Sequence, residues 1–188
     1  MRGNTLAPEI HRRAQQIRLV VLDVDGVLTD GRIIYSDAGE EMKCFHVRDG
    51  HGIRMLQQVG IEVAVITGRH SRAVAHRTQN LQIVHVFQGV RDKLAVLQTL
   101  LLELALAASQ TAVVGDDLVD LSMMQAAGLA VAVADAPLEV QQQAHWVTSV
   151  PGGRGAVREL AELILKAQGH WERLLRHYGT QAAPLGLK

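Results

Sequence analysis

Short apolar, largely β-branched runs recur along the chain, separated by longer segments of helical period. In IRLVVLDV (residues 17–24) the run LVVL before the first aspartate is continuously apolar, which predicts a strand buried on both faces. IEVAVIT (61–67), IVHVF (83–87), TAVVGDD (111–117), LAVAV (129–133) and HWVTS (145–149) predict further strands. Between them lie helical patterns. In DGHGIRMLQQVG, Ile53, Leu56 and Val59 repeat every third residue, Asp49 is placed to cap and Gly60 to terminate. SRAVAHRTQNL, a long helix from about Asp92 to Ala107, LVDLSMMQAAG closed by Gly128, and PLEVQQQA with Pro137 in its first turn follow. Met123 and Met124 suit a helix packed on a sheet. The segment AVRELAELILKAQG is amphipathic through Val157, Leu160, Leu163 and Ile164.

One stretch breaks the alternation. RIIYS and EEMKCFHV flank Asp37-Ala38-Gly39-Glu40, a turn-rich tetrad, and predict a β-hairpin over about residues 32–47. Strands and helices alternating at this spacing imply right-handed βαβ units, hence an α/β fold with a doubly wound parallel sheet. Between Asp25 and Thr67 there is room for the hairpin, one helix and one strand, and none for a separate cap domain. The expected organisation is one domain over residues 1–178, followed by a flexible, linker-like tail over 179–188.

Charge and composition narrow the partners. Nineteen basic and nineteen acidic residues cancel, without a block of like charge to attract nucleic acid or an anionic lipid surface. Aromatic residues make up 3%, too few for a base-stacking platform. The single cysteine, Cys44, fits a reducing compartment. MRGNTLAPEIHRRAQQ has no apolar leader core, and the apolar stretch from Leu94 to Ala108 is interrupted by Gln98 and Glu103 and is too short to cross a bilayer. A cytoplasmic protein without nucleic-acid or membrane partners is expected. No pair of its nine histidines has zincin-like helical spacing.

The candidate chemistry sits where an open parallel sheet binds ligands, beyond the carboxyl ends of its strands. The first strand ends in Asp23 and Asp25, the second in Thr67, Gly68 and Arg69, the fourth in Gly115, Asp116, Asp117 and Asp120. Lys93 opens the helix after the third. Singly, such aspartates are turn formers or helix caps. Together, carboxylates converging on one edge repel unless a cation neutralises them, and an all-oxygen set suits Mg²⁺. A hydroxyl, an amide beside glycine and a lysine supply donors to phosphate oxygens. Asp117 and Asp120 are expected to orient metal waters or the lysine from behind.

DVDGVLTD, TGR, the lone Lys93 and GDDLVD resemble the four motifs of the haloacid dehalogenase superfamily of phosphohydrolases. The resemblance implies that Asp23 is a nucleophile forming an aspartyl-phosphate. It implies that Asp25 is the general acid and then the general base, ligating Mg²⁺ through its main-chain carbonyl. Thr67 would bind phosphate, Lys93 would hold nucleophile and phosphate, and Asp116 would complete the metal set of Asp23, Asp25 and Asp116. An aspartate rather than a threonine at position 25 argues for rapid hydrolysis of the intermediate, hence a phosphatase.

GRIIYSDAGEEMKCFHVRDGHGI, ITGR, VGDDLVDLSMM, AVADA and GGRGAVREL are together similar to the 3-deoxy-D-manno-octulosonate 8-phosphate (KDO 8-phosphate) phosphatases. These are capless members of the superfamily, tetrameric through the hairpin, acting on the route to lipopolysaccharide. The resemblance implies a sugar-acid phosphate as substrate and a homotetramer. A sugar acid needs a cation for its carboxylate, and Arg69 is the candidate. Gly152, Gly153 and Gly155 would let backbone approach a ligand, with Arg154 facing a neighbour's substrate. A phosphatase for nine-carbon sialic-type sugar acids shares these motifs and stays open as an alternative. A phospho-receiver-like module is more distant, since its acidic pair ends the first strand and its phosphoacceptor comes from the third.

Overall fold

The structure, a computed structural model, describes residues 8–179. Its centre is β1 (Leu19–Leu22), where every residue is buried, as its unbroken apolar run requires. β4 (Glu62–Ile66) and β6 (Thr111–Gly115) pair with β1 on either side, both parallel. β5 (His85–Phe87) extends the sheet beyond β4, and β7 (Leu129–Ala132) and β8 (Trp146–Val147) beyond β6. The six-stranded order β5-β4-β1-β6-β7-β8 reverses direction at β1, so the loop after β1 faces the crevice where such sheets bind ligands.

Right-handed crossovers put α2 (Val47–Gln58) and α3 (Arg72–Asn80) on one face of the sheet. α4 (Lys93–Glu103), α5 (Leu121–Ala126) and α6 (Leu138–Gln143) take the other. α7 (Ala156–Ala167) packs along α2, its apolar stripe of Val157, Leu160 and Ile164 fully buried. α1 (Pro8–Gln16) packs against α7, and α8 (Trp171–Gly179) follows it in sequence and in contact. Burial of each large aliphatic side chain contributes about 1.5–3 kcal/mol.

The hairpin is present but shorter than its sequence pattern: β2 (Ile34–Tyr35) and β3 (Glu41–Met42) form a separate two-stranded antiparallel sheet. Between β1 and α2 the chain builds only this hairpin, and no cap domain. Val47, read as strand, opens α2, and His46 rather than Asp49 is its N-cap. Asp49 serves a different helix. Its buried carboxylate accepts hydrogen bonds from the Gly155 and Arg158 amides at the start of α7, at 3.2 and 2.8 Å. α4 ends at Glu103, four residues before its apolar pattern does, and Asp92 caps its start through the Ala95 amide. α8 continues to Gly179, where the tail was expected to begin; residues 180–188 lie outside the described residues. Among the described residues no helix is long and apolar enough to cross a membrane.

Candidate active site

Asp23 continues β1, its amide donating to Val114 of β6 at 3.2 Å, and its carboxylate is delivered to the carboxyl edge almost fully buried. Lys93, the first residue of α4, reaches the same point: its Nζ donates to Asp23 Oδ1 at 2.8 Å and to Asp120 Oδ1 at 2.7 Å. Asp120 is wholly buried, and its Oδ2 accepts the Asp116 amide at 3.1 Å, fixing the loop after β6. Carboxylate oxygens of Asp23, Asp116 and Asp120 lie within 4.8 Å of one another.

Three carboxylates share one ammonium here, and their proton affinities record the deficit. Burial, then repulsion from Asp120, pushes Asp23 up to about 6, although Lys93 pulls the other way. Burial, then Asp23, Asp120 and Asp117, pushes Asp116 up to about 8. Burial works against the charged form of Lys93, but Asp23 and Asp120 outweigh it and raise its affinity for the proton. An all-carboxylate set with one ammonium between three acids, in which Asp116 holds its proton near neutral pH, fits Mg²⁺ in donor type, and nothing in the set suits a softer metal.

Gly26 makes the grouping possible. Its φ is +95°, and a β-carbon there would collide with the Asp116 carboxylate. The cavity above these residues has a volume of about 270 Å³ and is lined by every expected site residue except Asp120, which lies beneath it. Thr67 is buried at the end of β4, its amide donating to Phe87 of β5 at 2.9 Å and its carbonyl accepting from Val90 at 3.0 Å. Gly68 and Arg69 follow on the rim.

Asp120 orients Lys93 from behind, the place expected of it, and its carboxylate also joins the cluster. The Asp25 carboxyl turns toward Lys43, with Arg69 Nε at 3.7 Å. Asp117 is exposed and caps the turn after β6 through the Leu118 amide at 2.7 Å.

Lys43 and Glu41 escaped the sequence reading. Lys43 comes from the hairpin, and its side chain is 1% exposed between Asp25 and Glu41 Oε1, the latter at 3.5 Å. Arg69 Nη2 meets Glu41 Oε2 at 2.8 Å. The Ser71 and Arg69 donors beside Glu41 hold its carboxyl down at about 2. A signal was available: two oppositely charged residues two apart in a predicted strand share one face, and that face cannot be a hydrophobic one. Arg154 lies 3.4 Å from Asp30 on the exposed side of the loop after β1.

The fold and the carboxylate cluster define a haloacid dehalogenase-like hydrolase, and residues 82–159 match that family. Over 164 residues, 87% of each chain, the protein is 50% identical to the 3-deoxy-D-manno-octulosonate 8-phosphate phosphatase of Salmonella typhimurium. The crystal structure of the enzyme of that name from Yersinia pestis is 48% identical, with a TM-score of 0.88 over 89% of this chain and 90% of that one. The Moraxella catarrhalis phosphatase, solved with magnesium, phosphate and KDO, is 42% identical, with a TM-score of 0.89 over 90% and 98%. Within the haloacid dehalogenase-like hydrolases, the chain belongs to the 3-deoxy-D-manno-octulosonate 8-phosphate phosphatase family.

Proposed function

We propose that the protein is a magnesium-dependent phosphomonoesterase that hydrolyses KDO 8-phosphate to KDO and inorganic phosphate, a cytoplasmic step in lipopolysaccharide precursor synthesis. The observation that carries this reading is the Asp23–Lys93–Asp120 chain beside Asp116, in a chain half identical to phosphatases of that name.

Asp23 attacks phosphorus, the bond from phosphorus to the ester oxygen breaks, and Asp25 donates a proton to the departing 8-oxygen. Water then attacks the aspartyl-phosphate, giving its proton to Asp25 and releasing phosphate with Asp23 restored. Lys93 aims the Asp23 oxygen and neutralises part of the charge between two anions, while Asp120 holds Lys93 in place. Asp23, Asp116 and the Asp25 carbonyl would hold Mg²⁺, with Asp120 adjoining; when bound, it supplies the positive charge the cluster lacks. Thr67 and the Gly68 backbone bind phosphate oxygens. Lys43 and Arg69 fix the Asp25 carboxyl from the hairpin side, and Arg69 is the cation assigned to the sugar-acid carboxylate.

Phosphate release from KDO 8-phosphate and from a nine-carbon sialic-type phosphate, each with Mg²⁺ and with a chelator, tests the reading. Metal-dependent turnover favouring the eight-carbon ester is expected; preference for the nine-carbon ester reassigns the substrate, and metal-independent turnover refutes the mechanism. The hairpin carries Ile33, Tyr35 and Met42 at 51, 59 and 51% exposure, which suits contact between copies in a homotetramer. Ile33→Glu is expected to lower the mass measured by light scattering, and an unchanged mass removes the hairpin from the assembly.

A further inference from the structure

Gly152 and Gly153 of the PGGRG loop make their close approach to protein backbone. A β-carbon on Gly152 would collide with the carbonyl oxygen of Gly26, and one on Gly153 with the backbone of Thr29. Gly153 also has φ +62°, and its amide donates to the Val27 carbonyl at 2.9 Å. The segment touched in this way, Gly26–Asp30, is the turn that leaves Asp25. It closes on itself through the amides of Val27, Leu28 and Thr29, which all donate to the Val24 carbonyl. On its opposite side Gly26 meets Asp116. The turn is therefore clasped between the loop after β6 and the PGGRG loop.

The PGGRG loop is itself tied down from three directions. The Gly152 amide donates to Asp135 Oδ1 at 3.0 Å, from the loop after β7. The Gly155 amide donates to Asp49 Oδ2 at 3.2 Å, and Arg154 Nη2 lies 3.4 Å from Asp30 Oδ2. Asp49 is buried in the first turn of α2 and also receives the Arg158 amide, so it joins the start of α2 to the start of α7. A loop held this way and pressed onto a neighbouring turn without side chains between them has the properties of a template.

We infer that residues 151–155 are a positioning element that sets where the Asp25–Gly26 turn lies, and that they act on the reaction through that turn without touching substrate. The inference rests on the acid–base role proposed for Asp25. Displacing a reacting group by about 1 Å can lower the rate about 10²-fold. Gly152→Ala is thus expected to lower kcat by about 10²-fold with KM changed less than about threefold. Asp135→Ala removes a tether at an exposed residue without adding bulk. It is expected to lower kcat by a smaller factor, about 3- to 10-fold, on the same scale.

Hydrogen exchange gives a readout independent of substrate and metal: both variants should speed exchange at the Val27, Leu28 and Thr29 amides. Raised KM with unchanged kcat would make the loop a substrate contact and overturn the inference, as would unchanged kcat and exchange. If Gly152→Ala fails to fold, Asp135→Ala decides alone. An inactive wild-type protein would count against the proposed function, while the exchange measurements would still judge the loop.

Discussion

Two groups of charges border the same cavity and are built oppositely. Asp23, Asp116 and Asp120 share the single ammonium of Lys93, and two of these acids are driven well above the ordinary carboxylate range. Asp25 and Glu41 face two cations, Lys43 and Arg69, and Glu41 is held well below that range. The first group is short of positive charge and the second is self-neutralised. A site that must accept a cation and a phosphate cannot satisfy its own acids in advance, whereas ion pairs supplied by the chain hold the hairpin-side carboxyls in one orientation.

The largest effect should come from removing a charge from the deficient group. Asp23→Asn deletes the nucleophile, and activity is expected to fall by at least about 10⁴-fold. The same change relieves repulsion with Asp120 and Asp116, so metal-free thermal stability should hold or rise. Retained turnover would remove Asp23 from the mechanism. A fall in stability would mean that the cluster is not charge-deficient and would erase the contrast between the two groups.

The next effect is visible in pH and metal together. Asp116 moves from an ordinary 3.8 to about 8 on folding, and Asp23 from 3.8 to about 6. Across that window the folded protein binds more protons than the unfolded chain, so metal-free stability falls as pH rises from about 4 towards 8. Mg²⁺ competes with those protons. Saturating Mg²⁺ should therefore raise the melting temperature more at pH 8 than at pH 5, measured by differential scanning fluorimetry. A gain independent of pH would place the metal elsewhere.

The two groups were unequally legible in the sequence. Asp23, Thr67, Lys93 and Asp116 could be read as a set because each closes a strand or opens the helix after one, and the parallel sheet aligns those ends. Asp120 looked peripheral because a 3₁₀ turn, rather than a regular helix, carries it back beneath Asp116. Lys43 and Glu41 were missed because their partners, Asp25 and Arg69, lie on other elements, 18 and 28 positions away. Asp49 read as the cap of its own helix because local spacing cannot show that Gly155 and Arg158, more than 100 positions on, would supply the amides. α1, polar along PEIHRRAQQ apart from Ile10 and Ala14, has too little apolar period to stand out.

The smallest effect tests the self-neutralised group. Glu41 has an ordinary value of 4.5 and is held at about 2 in the folded protein. A depressed carboxyl contributes stability that is present above its unfolded value and is lost as pH falls through its folded one. Glu41→Gln should therefore melt slightly below wild type at pH 7. Since the site is partly open to solvent, a difference of about 1–3 °C is expected. That difference should shrink as pH is lowered from 4.5 towards 2. It should not depend on Mg²⁺, because the two cations facing Glu41 are supplied by the chain. A magnesium-dependent difference would mean that the hairpin charges and the carboxylate cluster form one electrostatic unit, and the contrast drawn between them would fail.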